Sequence, residues 1–131
     1  MVNQGTVNNY VPLRVDDHPR AMVLPFDQKA LEEAHPRKYQ SGYEIFKIPM
    51  QSARLLFGED FLGKINAATG LTLADKSFTP VTGEVLAKLK EYADKRLAER
   101  MMDKNVHAFY HYLAYFAKYA MENNTGVIFD L

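Results

Sequence analysis

The residues best placed to do chemistry are His107 and His111, four apart and so on one face of any helix that carries them. Two imidazoles at that spacing form the first half of a zinc-protease motif. Position 108, however, is Ala, where the glutamate acting as general base would stand. A metalloprotease is therefore excluded. A bare zinc site would need a third ligand from Asp103, four residues earlier, or from His18, His35 or another carboxylate. The simpler reading is a polar helix edge, and no metal or cofactor is expected.

Arg96 and Arg100 are a second pair at helical spacing, at the fringe of an apolar face. Their planar guanidinium groups could clamp a phosphate or a partner's carboxylate. Alternatively, their stems cover apolar surface while their heads pair with Glu99 and Asp103. Ser41-Gly42 and Thr82-Gly83 lack the rest of any phosphate-binding loop, and no serine stands in a GxSxG elbow. Asp16-Asp17, Glu32-Glu33 and Glu59-Asp60 are adjacent in sequence, which says nothing about two carboxylates facing each other across a cleft. No residue qualifies as catalytic.

The third constellation is aromatic. Val106–Met121 holds six of the sixteen Phe and Tyr residues. At about 100° per residue, Val106, Phe109, Tyr110, Leu113, Phe116, Ala117, Ala120 and Met121 form one apolar arc. An arc of that width suits the central helix of a small core. Tyr112, Tyr115 and Tyr119 extend it at spacing i, i+3, i+7. Aromatic residues at helical spacing are usually core. Here the arc is already full, and tyrosine is enriched at protein interfaces, so these three are expected to form a partner surface.

The elements that must position these groups follow from periodicity and breakers. Tyr10–Val15 alternates as a strand, with Pro12 confining it to a sheet edge. Asp16–Arg20 is a turn, so Ala21–Leu24 completes an N-terminal hairpin. Asp27 caps a short helix from Gln28 to about Ala34. Tyr43–Ile48 is apolar on both faces and is expected at the centre of the sheet. A helical segment runs from Ser52 to Thr69, with a break near Gly58 and a stop at Gly70. Thr79-Pro80 reads as the cap and first residue of a long helix to about Met102. A turn at Asp103–Asn105 makes it a hairpin with the aromatic helix. Asn123–Gly126 ends that helix, and the final residues suggest a strand.

Strands early and helices late give an α+β class: a small mixed or antiparallel sheet with three main helices packed on one face. Residues 1–8 are expected as a flexible lead and 9–131 as one domain. With 47% hydrophobic residues and no cysteine, thiol catalysis, zinc ribbons and disulfide scaffolds are excluded, and a reducing compartment fits. Net charge is zero, with 16 basic and 16 acidic residues, which disfavours nucleic acid. No secretory signal or membrane-length apolar run is present. The expectation is a cytoplasmic, non-enzymatic module that occludes or inhibits a partner protein. One rival is a small-ligand binder or enzyme with a pocket using His107, His111, Arg96 and Arg100. The other is a homo-oligomeric structural subunit.

Overall fold

Four short segments pair into one antiparallel sheet: β1 (Arg20–Pro25), β2 (Tyr43–Ile48), β3 (Phe78–Val81) and β4 (Val127–Asp130). Their spatial order is β2-β1-β4-β3. The computed structural model describes residues 20–39, 41–100 and 103–131. Among these residues five helices join the strands: α1 (Gln28–Glu33), α2 (Met50–Gly58), α3 (Phe61–Thr69), α4 (Val85–Leu97) and α5 (Lys104–Glu122). The fold is α+β.

Register decides which side chains share a face. Met22 stands opposite both Phe46 and Phe129, and Phe129 stands opposite Thr79. Side chains alternate along each strand, so Met22, Leu24, Phe46, Ile48, Val81, Val127 and Phe129 project to one side. There they meet Leu56, Phe61 and Ile65 of α2 and α3, Leu86 and Leu89 of α4, and the arc of α5. Phe109, Tyr110, Leu113 and Phe116 are fully buried, so α5 is the central helix its sequence implies. The main helices lie on this side. The other side carries Ala21, Val23, Ile45, Lys47, Ile128 and Asp130, and α1 crosses part of it. A Cβ at Gly126 would meet the Val81 carbonyl oxygen at 2.6 Å and Leu31 Cδ1 of α1 at 3.3 Å. Only glycine lets β4 begin in that gap.

Local stop and start signals act as expected. Asp27 accepts from Ala30 N at 2.8 Å, and Asp103 Oδ1 accepts from Asn105 N and Val106 N. Gly70 ends α3 with φ of 82°, and Asn124, also left-handed, follows the end of α5. The segment 52–69 is broken as anticipated: α2 stops at Gly58, and Asp60, at φ of 57°, caps α3. Helices α4 and α5 pack along each other as a hairpin.

Four expectations need correction. β2 lies at an edge, because β1 and β4 are buried on both faces and take the centre, whereas Ile45 of β2 is 40% exposed. Helix α4 begins at Val85 and not at Pro80, because Phe78–Val81 pairs with β4. It also stops at Leu97 and not near 102. Helix α2 opens at Met50, directly after Pro49, with Ser52 buried in its first turn. The expected lead 1–8 and strand 10–15 lie outside the described residues, and both edges of β1 are taken by β2 and β4.

Candidate interaction surface

The histidines and arginines singled out by spacing do not share a cleft. His107 and His111 are exposed on α5, His111 standing edge-on to Tyr112 with centroids 5.7 Å apart. Asp103 is engaged as the α5 cap. Among the described residues no three His, Asp or Glu side chains converge as metal ligands. Arg96 and Arg100 line a different hollow of about 290 Å³, with Leu55, Glu59, Glu99, Asp103 and Val106.

Arg96 is committed within the fold. Its Nη2 donates to both oxygens of Glu59 at 2.7 and 2.8 Å, and its Nη1 donates to Glu99 at 2.8 Å. The guanidinium also lies over the Tyr110 ring, 5.0 Å from its centroid, and Tyr110 donates to Glu59 at 3.1 Å. One carboxylate just past the end of α2 thus ties α4 to α5. Burial, with the nearby Tyr92 and Glu59, pushes the Tyr110 hydroxyl far above its ordinary value. The native state keeps a proton that the unfolded chain releases, so this contribution is complete below about pH 10 and falls as pH rises beyond it. Thermal midpoints should lose this contribution only above about pH 10, and Tyr110→Phe should flatten the decline there. An equal slope in both proteins would count against it.

The tyrosine stripe divides into three environments. Tyr112 is half-buried and stacks on Phe46, with centroids 4.7 Å apart, so it belongs largely to the core. Tyr115 is 41% exposed, and its hydroxyl donates to Glu44 of β2 at 3.0 Å. That hydrogen bond is the first cause of a raised Tyr115 pKa. Tyr119 is half-buried and donates to the Phe26 carbonyl at 3.1 Å, with the two rings 6.1 Å apart. Phe26 itself is 42% exposed. Helical periodicity does not single it out, although a large aromatic directly before the cap Asp27 is the position of a hydrophobic staple. Here that residue reaches across to α5.

Beside this aromatic surface runs the edge of β2. Phe26 N donates to the Gly42 carbonyl at 2.9 Å, which puts 26 and 42 in the hydrogen-bonded class of antiparallel pairs. Alternation then turns the backbone groups of residues 44, 46 and 48 toward β1, and those of Tyr43, Ile45 and Lys47 outward. On β3 the same reasoning, from Leu131 N donating to the Ser77 carbonyl, turns Phe78 and Pro80 outward. Proline has no N–H to offer, so that edge is blunted. The β2 edge is not.

A hollow of about 550 Å³ lies behind Ile45, bounded by Ala21, Arg37, Tyr39, Lys47 and Asp130. Asp130 is buried at the end of β4 and accepts from Arg37 N at 2.7 Å and from the Tyr39 hydroxyl at 2.8 Å. It thereby closes the loop after α1 onto the sheet. Burial, and then the hydrogen bond and charge of Asp130, raise the Tyr39 pKa well above normal. Neither hollow contains the histidine pair. The chain matches no protein-family model, no curated protein and no solved structure.

Proposed function

We propose that this chain is a cytoplasmic protein-binding module that acts by occluding a partner protein through Phe26, Tyr115 and Tyr119. The observation that carries this is Tyr115: a large ring, 41% exposed, yet held in place through its hydroxyl. A ring already immobilised loses little rotamer freedom on binding, which is the main cost of burying an exposed side chain in an interface. Tyr119 and Phe26 are held in the same way by their mutual contact. The cysteine-free composition fits a reducing compartment, and among the described residues no helix is long and apolar enough to cross a membrane. The rival pocket of His107, His111, Arg96 and Arg100 has less support, since neither histidine lines the hollow of the two arginines and Arg96 is paired with Glu59 and Glu99.

Affinity capture from native lysate tests this, with wild type beside the variant Phe26→Ser/Tyr115→Ser. Both side chains are exposed enough for the variant to stay folded. A stoichiometric partner should be held by wild type and weakened at least tenfold by the double change, equivalent to about 1.4 kcal/mol. Equal retention by both proteins, or no partner at all, would argue against occlusion through these rings.

A further inference from the structure

We propose that the outer edge of β2, which pairs with no other strand among the described residues, is a self-pairing site, at which two copies of the chain join antiparallel about a two-fold axis through Ile45. The outward residues Tyr43, Ile45 and Lys47 are evenly spaced about Ile45 and none is proline. A single register, with Ile45 opposite Ile45 of the second copy and Tyr43 opposite its Lys47, satisfies every outward amide and carbonyl of the three. Shifting the register leaves some of them unpaired. An unpaired edge of this kind is a ready template for another strand, and a two-fold contact requires a self-complementary patch.

Side-chain chemistry supports the same register. Ile45, 40% exposed, covers its own counterpart. Lys47 is exposed and has no ion-pair partner among the described residues. The register brings its ammonium beside Tyr43 of the second copy. That hydroxyl donates to the Ala30 carbonyl, and Tyr43 lines a hollow with Asp27 and Glu33 as well as Lys29 and Lys38. On the core side, Glu44 stays turned to its own Tyr115 and leaves room for Phe46 of the second copy. The site uses the backbone of residues 43, 45 and 47, not the rings of the occlusion surface, so either inference can hold without the other.

The chain has no cysteine, so a single introduced thiol reports on register. Facing residues in a hydrogen-bonded antiparallel pair have Cα atoms about 5.5 Å apart, within disulfide reach. Full-length Ile45→Cys should therefore form a covalent dimer under mild oxidation. Lys47→Cys should not, because each Lys47 lies four residues, about 13 Å, from its counterpart. Sedimentation at tens of micromolar should show a wild-type dimer that Ile45→Lys converts to a monomer with unchanged circular dichroism. A monomeric wild type overturns the proposal and leaves the edge to another protein or to residues 1–19 of the chain. Equal cross-linking of both cysteine variants signals random collision and overturns it too, as does a dimer indifferent to Ile45→Lys. A monomer that still captures a partner through Phe26 and Tyr115 overturns self-pairing alone. A dimer that captures nothing overturns only occlusion.

Discussion

Phe109→Ala is expected to destabilise the protein by about 3–5 kcal/mol, the usual cost of truncating a buried phenylalanine. Phe109 is fully buried where three elements meet. Its ring lies 6.4 Å from Phe46 of β2, 5.5 Å from Phe61 of α3 and 5.0 Å from Tyr110. These neighbours sit on a sheet and two helices that cannot all move inward together, so much of the cavity should stay open. A typical domain has only about 5–15 kcal/mol of total stability, so the variant should be close to its unfolding limit at 37 °C. Urea titration checks this: the midpoint should fall sharply while the slope holds. Tyr115→Ala, on the same helix but exposed, should cost less than about 1 kcal/mol, as surface changes generally do. Similar losses for the two would mean that the arc and the stripe are wrongly divided.

The second large effect concerns Glu59. Glu59→Ala removes the carboxylate that accepts both bonds from Arg96 Nη2 and the one from Tyr110. Arg96 keeps its charge with only 14% of its side chain exposed, and its Nε has no hydrogen-bond partner among the described residues. Breaking a fully buried pair by deleting one member costs about 3–5 kcal/mol. Glu59 is 26% exposed, so solvent screens part of that, and about 2–3 kcal/mol is expected. Adding Arg96→Leu should recover part of the loss, because the largely buried cation, left with Glu99 alone, is then removed. Strict additivity in the double-mutant cycle would show that the two side chains do not act as a pair. Arg96 reads in sequence as a candidate ligand clamp, and it turns out to be a clamp on the chain itself.

That outcome shows where local reading stops. Spacing put Arg96 on the fringe of a core face, which is correct, but its partner Glu59 lies 37 residues away at the end of another helix. The same limit divides the tyrosines. Residues 112, 115 and 119 share a stripe by periodicity, yet Phe46 of β2 draws Tyr112 into the core while Glu44 holds Tyr115 at the surface. Phe26 meets Tyr119 across 93 residues. No window along the chain contains that contact.

By itself the sequence determined the α+β class, the position of the central aromatic helix, strand 43–48, the C-terminal strand and most caps and stops. Each depends on groups a few residues apart: the 3.6-residue period of an apolar arc, Asp27 reaching Ala30 N, Gly70 and Asn124 adopting positive φ. Tertiary structure alone decided the strand order. Apolar residues on both faces suit a central strand, and by that measure Tyr43–Ile48 competed with Val127–Asp130. Pairing gave the centre to β1 and β4, which left β2 at one end of the described sheet and drew Thr79-Pro80 out of a plausible helix cap into β3. Periodicity tells which face of an element is apolar. Which neighbour covers that face depends on chain closure across the whole molecule, where the sheet buries the most apolar area with the fewest unpaired backbone groups.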